Sequence, residues 1–132
     1  MILDDLADYL TTGGVATSGT NLFVGSRMPD TPNELIMLRL YSGIESIHVF
    51  GESEGEAELD QPRFQAEVRS TTYQSADSLC RSVRNRLDRA KFTINGKLYH
   101  HIEALNSDPL PLDVDESRRY SVVMNFQVKK AR

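Results

Sequence analysis

The chain has 132 residues, which suits one domain and is too few for two ordinary ones. Its composition, 39% hydrophobic and 26% charged residues, is typical of a globular protein. A single cysteine, Cys80, excludes an internal disulfide. The short apolar runs argue against a membrane span and the acidic first residues against a signal peptide, so we expect a protein made and kept in a cytoplasm. The formal net charge of −4 disfavours nucleic acid as the main partner, because phosphate binding needs a clustered positive surface.

The first half of the chain predicts one helix and two strands. An apolar face at helical spacing (Ile2, Leu3, Leu6, Tyr9 and Leu10) is followed by Gly13-Gly14, which ends the helix. Residues 21–25 read as a short strand and 34–41 as a central strand, with a proline-bearing turn at 28–33 between them. Residues 47–50 are compatible with a strand, but 51–56 are acidic and contain glycine without an apolar period, so we interpret 42–60 as a long exposed loop or the tip of a hairpin.

The second half predicts a strand, a helix, a hairpin and a last strand. Residues 64–68 alternate apolar and polar, and Thr72 is a suitable N-cap for the helix that follows. That helix has one apolar face (Ala76, Leu79, Cys80, Val83 and Leu87). We expect Leu79, Val83 and Leu87 to pack on a sheet face built from Phe64, Val68, Tyr120, Val122 and Phe126.

Asn95-Gly96 between two short apolar runs predicts a tight hairpin, because both turn residues tolerate positive φ. A long loop at 106–117 then leads to the last strand, which alternates from Tyr120 to Val128. The fold class we predict is α+β: a two-layer sandwich, with two helices on a mainly antiparallel sheet of four to six strands.

Charge is divided unevenly along the chain. Residues 1–62 hold eleven acids against two bases, giving −9, whereas residues 63–132 hold thirteen bases against eight acids, giving +5. This split predicts either an acidic face beside a basic face or one acidic loop that produces most of the difference. Five acids fall within Glu52–Asp60, and we expect this acidic run to be ordered by a neighbour in an assembly.

Residues able to carry catalysis are few. Cys80 lies on the apolar helix face, where a thiol is a packing group. His100 and His101 are neighbours in a strand and point to opposite faces, so they do not share an ion. The carboxylates of residues 113–116 lack the spacing of a calcium loop. We therefore predict no catalytic residue, no cofactor and no metal.

Four arginines lie in the second helix, at positions 81, 84, 86 and 89, with acids at 77 and 88 interleaved. This pattern favours a salt-bridged outer face or a subunit interface over a DNA-binding stripe. As candidate subunit or partner contacts we select eight charged residues: Glu52, Glu54, Glu56, Glu58, Arg81, Arg84, Asp113 and Asp115.

The order of several motifs resembles the phage minor capsid proteins of the neck or tail-terminator type. The resemblance rests on LADYL at 6–10, GTNLFVG at 19–25, MPDTP at 28–32, QPRFQAEVR at 61–69, and the hairpin around Ile94-Asn95-Gly96 with the closing NFQV at 125–128. Residues 42–60 and 106–117 match no part of that pattern.

The resemblance implies a structural virion protein, not an enzyme, that forms a ring joining head to tail or closing the top of the tail. It implies a homo-hexamer in contact with tail-tube and head-completion or connector proteins, assembled in the host cytoplasm, with passive DNA contact in the lumen and no membrane. Two other readings stay open at this point. One is a nucleic-acid-associated module using the arginine-bearing helix 73–90, and the other is a small ligand-binding domain or hydrolase with an unrecognised site.

Overall fold

The computed structural model describes residues 2–25, 28–47, 59–112 and 114–131, with the backbone alone for 41–47, 59–60 and 131. Within these described ranges, two helices and seven strands follow one another: α1 (Ile2–Thr12), β1 (Leu22–Val24), β2 (Leu35–Ile47), β3 (Leu59–Ser70), α2 (Tyr73–Leu87), β4 (Phe92–Ile94), β5 (Lys97–Ala104), β6 (Leu110–Pro111) and β7 (Tyr120–Ala131).

Local chemistry accounts for the end of α1 and the start of α2. α1 stops where the Gly13 amide donates to the Tyr9 carbonyl and Gly14 adopts φ 76°, a conformation that costs glycine little. The Thr72 side chain accepts a 3.1 Å hydrogen bond from the Ser75 amide at the start of α2, as an N-cap does. Both predicted helices are present, but the end predicted for the second at residue 90 was wrong: α2 ends at Leu87, and Arg89 lies beyond it with φ 63°.

The strands form one mixed sheet in the order β1-β2-β3-β7-β5-β4, with β6 beside β7. β1 runs parallel to β2, and every other described pair is antiparallel. The α+β class and the mainly antiparallel sheet are confirmed, but the expected four to six strands were too few. The two-layer sandwich stays a prediction.

Two predicted loops are partly strand. β2 continues to Ile47 and β3 begins at Leu59, and these two residues are paired across the strands, so 42–47 and 59–60 of the loop predicted at 42–60 are strand. The rest of that predicted loop, 48–58, lies outside the described residues. Leu110–Pro111 pairs with Val123 and Val122 of β7 inside the loop predicted at 106–117. In both places the pairing comes from a distant part of the chain rather than from a local pattern.

The core is built from both helices and alternate positions of the long strands. Ala76, Cys80, Val83 and Leu87 of α2 are fully buried with Phe64, Val68, Val122 and Phe126 of the sheet, as predicted. Leu79 is partly buried at the rim of this cluster. Tyr120 was wrongly placed in the core: it is half-buried at the first position of β7, opposite Ser70 at the end of β3.

Candidate assembly surfaces

The exposed side of α2 carries paired charges rather than a positive stripe. Arg81 Nε donates to Asp77 Oδ2 at 2.8 Å, and its Nη2 donates to Asp108 Oδ1 at 3.1 Å. Arg84 Nη2 lies 3.7 Å from Asp88 Oδ2. Each of these arginines therefore has a carboxylate close by, which weakens the positive field that a DNA phosphate would meet. The role of Arg81 and Arg84 at a subunit interface stays a prediction.

Arg86 turns away from that surface and ties the two helices together. Its Nε and Nη2 donate to the Tyr9 carbonyl at 3.3 and 3.2 Å, and its guanidinium lies 3.7 Å from the centroid of the Tyr9 ring. The Tyr9 ring stacks on Phe92 with centroids 3.6 Å apart. A Cβ at Gly13 would lie 2.2 Å from Arg86 Nε, so glycine at this position is what lets the arginine reach α1.

Asp5 is a buried acid in α1, only 3% exposed. Its carboxylate accepts a 2.5 Å hydrogen bond from the Tyr99 hydroxyl and a 2.8 Å bond from Asn95 Nδ2. Burial acts to raise the pKa of Asp5, but the bonds from Asn95 and Tyr99 outweigh it and leave the pKa below its usual value. Burial, together with the hydrogen bond to the same carboxylate, raises the pKa of Tyr99. Asp5 thus anchors the first helix to the β4–β5 hairpin.

Asp115, one of the predicted contact residues, closes the turn that precedes β7. Its Oδ1 accepts from the Arg119 amide at 2.8 Å and its Oδ2 accepts from Arg119 Nε at 2.7 Å. The hydrogen bond from the Arg119 amide, with that of its side chain, holds the pKa of Asp115 below its usual value. The structure therefore gives Asp115 a role within the chain. The other predicted acids (Glu52, Glu54, Glu56, Glu58 and Asp113) lie outside the described residues.

Two buried arginines that the sequence did not single out hold the segment 28–33. Arg69 Nε donates to the Asn33 carbonyl at 3.2 Å, and its Nη2 donates to the carbonyls of Asp30 and Pro32 at 3.0 and 2.6 Å. Arg119 donates to the Asp30 carbonyl and to Asp30 Oδ1. A signal was present in the sequence, because prolines supply acceptors without donors and such a segment needs donors from elsewhere.

A cavity of about 530 Å³ opens beside these arginines. Its lining combines four apolar residues, Phe23, Val24, Met28 and Pro29, with the charged residues Asp30, Arg69 and Arg119. Arg69 and Arg119 are 5% and 8% exposed, respectively. The described residues thus include a pocket that is lined by both cationic and hydrophobic groups.

An exposed apolar edge follows β5. Four large hydrophobic side chains within ten residues are each more than 40% exposed: Leu105, Leu110, Leu112 and Val114. The backbone of this segment is fixed to β7, since the Leu105 amide donates to the Asn125 carbonyl and the Leu112 amide to the Ser121 carbonyl. Clustered exposed apolar groups on an ordered edge are typical of a protein contact.

Reactive groups are sparse in the part of the chain that the structure covers. Burial raises the pKa of the Cys80 thiol to about 12, so the nucleophilic thiolate is scarce at neutral pH. Within the described ranges no three of His, Cys, Asp and Glu come together as a metal site. No described helix has the length and apolar character that a bilayer crossing requires.

The chain is similar to known proteins both in sequence and in fold. The model of a family described as bacteriophage tail terminator protein matches residues 9–132. A solved chain from the virion of the native gene transfer agent particle superposes with a TM-score of 0.69 at 10% identity, covering 99% of this chain and 95% of that one. A second solved chain matches with a TM-score of 0.57 at 11% identity over 96% of this chain and 89% of its own length. The search of curated proteins finds no match.

Proposed function

The chain belongs to the bacteriophage tail terminator family, and from this membership we propose that it closes the head-proximal end of the tail as a ring of identical subunits. The family match covers nearly all of the chain and is the observation that carries the proposal. It confirms the motif resemblance and identifies a structural protein of the virion neck or tail. Of the two positions the motifs left open, head–tail joining and tail termination, the match favours the second.

A ring needs two different surfaces on each subunit, because head-to-tail contacts close only when unlike faces meet. The −9 and +5 halves of the sequence supply unlike charge, which aids such contacts through electrostatic complementarity. The exposed apolar edge from Leu105 to Val114 supplies a hydrophobic element. We propose six subunits per ring, with no enzymatic turnover.

The two open sides of such a ring would meet different virion proteins. We propose a tail-tube protein on one side and a head-completion or connector protein on the other, with DNA passing through the lumen without specific contacts. The paired state of Arg81 and Arg84 supports this passive relation to DNA over a nucleic-acid-binding function for α2.

Loss of the gene in a phage that encodes the chain tests this function. Tails should then lack a fixed end, and electron micrographs should show a broad length distribution that the wild-type gene supplied in trans makes narrow again. Native mass spectrometry of purified tails should detect six copies released as one ring. Normal tails and infectious particles without the protein would contradict the proposal.

A further inference from the structure

The cavity lined by β1, by the segment 28–30 and by the two buried arginines takes no part in the function proposed above. We propose that it is a docking site for a carboxylate, and that the carboxylate comes from the acidic run Glu52–Asp60 of a second copy in the ring. This inference rests on the proposed ring, because it names one contact between neighbouring subunits.

The first support is the unused hydrogen-bonding capacity of Arg69. Its Nε and Nη2 are committed to backbone carbonyls, whereas Nη1 donates to none of the described residues. Among the described side chains, the fully buried nitrogens that lack a hydrogen-bond partner are the Nε atoms of Arg39, Arg63 and Arg84. Arg69 Nη1 is not one of these buried atoms. It is therefore accessible, and the space beside Arg69 is the cavity that this residue lines. Nη1 carries two N–H donors on a charged group, which can form charge-assisted hydrogen bonds with a carboxylate.

The charge around Arg69 points the same way. Arg119 has two carboxylate partners, Asp30 at 3.0 Å and Asp115 at 2.7 Å, but no described carboxylate lies within ion-pair distance of Arg69. Burial lowers the pKa of Arg69 and the charge of Arg119 lowers it further, while more distant acids oppose the change. An added carboxylate would stabilise the charged guanidinium in this half-closed space.

The pocket is also preorganised. Arg69 is held by three carbonyls of the segment that forms the rim, and Arg119 is held by Asp30 and Asp115. Neither arginine needs to be immobilised on binding, so little side-chain entropy is lost. Phe23, Val24, Met28 and Pro29 can receive an apolar residue next to the carboxylate.

The sequence offers a ligand of this composition. The acidic run alternates five acids with small and apolar residues. Leu59 and Asp60 belong to β3, so the ligand lies within 52–58, where Ala57 stands between two glutamates and places an apolar group beside a carboxylate. A second copy is the natural source, because each subunit then carries one donor and one acceptor surface, as a head-to-tail ring requires.

Peptide binding to the isolated full-length chain tests the inference. The probe is a capped peptide of residues 50–61, and its binding is measured by NMR from the amide chemical shifts of the full-length chain. The control peptide carries Gln in place of the four glutamates and Asn in place of Asp60. We expect shifts at the cavity-lining residues and at least tenfold weaker binding of the neutral peptide. Equal binding of both peptides, shifts located elsewhere, or the same shifts with acetate at equal carboxylate concentration would overturn the assignment.

Three variants locate the contact. Val24→Phe fills the cavity and keeps both arginines, Arg69→Gln removes the free donor, and Lys91→Gln removes an exposed positive charge outside the cavity. Binding should fall at least tenfold in the first two and stay unchanged in the third. A folded Val24→Phe variant that binds like wild type would refute the site, as would equal losses for Arg69→Gln and Lys91→Gln.

The presence of the ring is measured separately, by native mass spectrometry of the assembled tail. A ring in which the subunits show no peptide binding overturns this inference alone. Absence of the ring from tails overturns the proposed function, whatever the peptide does.

Discussion

Replacing Asp5 by alanine should destabilise the fold far more than its position in the first turn of a helix suggests. The carboxylate is 3% exposed and accepts from both Tyr99 and Asn95. Hydrogen bonds to a charged group contribute about 1.5–3 kcal/mol each, and truncation also leaves buried donors unpaired. Because the two bonds share one carboxylate and are not additive, we expect Asp5→Ala to lower the free energy of unfolding by about 3 kcal/mol.

Urea denaturation measures this loss against a matched control. Asp8 lies one helical turn further on, is exposed, and shares the same Asn95 amide at 3.0 Å, so Asp8→Ala should change stability by about 0.5 kcal/mol or less. A double-mutant cycle of Asp5→Ala with Tyr99→Phe should give a coupling of about 1–3 kcal/mol. A loss for Asp5→Ala equal to that for Asp8→Ala, or a coupling near zero, would refute the reasoning.

The same contact predicts a pH dependence. The pKa of Asp5 is lower in the folded protein than in the unfolded chain, so the unfolded state binds the proton more readily. The stability that the carboxylate contributes is therefore fully present above the unfolded pKa of about 3.9 and is lost as pH falls through the folded pKa. The difference between wild type and Asp5→Ala should be constant above about pH 5 and shrink below about pH 4; a difference that stays unchanged at low pH would contradict this.

Three further substitutions test packing and capping by urea denaturation. Leu87→Ala should cost about 2–5 kcal/mol, as truncation of a fully buried leucine does, and a near-neutral result would contradict the core. Gly13→Ala should cost about 1–3 kcal/mol, because the new Cβ displaces Arg86 from Tyr9; adding Arg86→Ala to that variant should then cost little more, and additive losses would argue against the tie. Thr72→Ala should cost about 1 kcal/mol through loss of the cap to Ser75, and an unchanged midpoint would show that the cap is not needed.

Elements governed by near neighbours were predictable from the sequence. Asn95-Gly96 has positive φ at both residues, 52° and 77°, as the hairpin required, and Thr72 caps α2 through a bond to an amide three residues away. Helix periodicity likewise identified Val83 and Leu87 as buried. In each case the pattern that allows the prediction lies within a few positions along the chain.

Features set by distant partners were missed. The local sequence predicts Asp5 to be a surface acid, but Tyr99 of the hairpin, 94 positions later, contacts it and helps to bury it. The local sequence likewise places Arg69 on the polar side of a strand, but the segment 28–33 packs against it. The strand pair at Leu110–Pro111 depends on β7 and has no alternating pattern of its own. Arg81 and Arg84, two of the proposed contact residues, form ion pairs within the chain, and their role at a subunit interface stays a prediction.

The position of the subunit in the assembled particle tests the central claim most directly. Cryo-electron microscopy of virions, with the chain fitted by its helices and seven-stranded sheet, should place six copies as one closed ring at the head-proximal end of the tail tube. In that ring the cavity beside Arg69 should face the neighbouring subunit. Single copies scattered over the capsid surface, without contacts between them, would contradict the account.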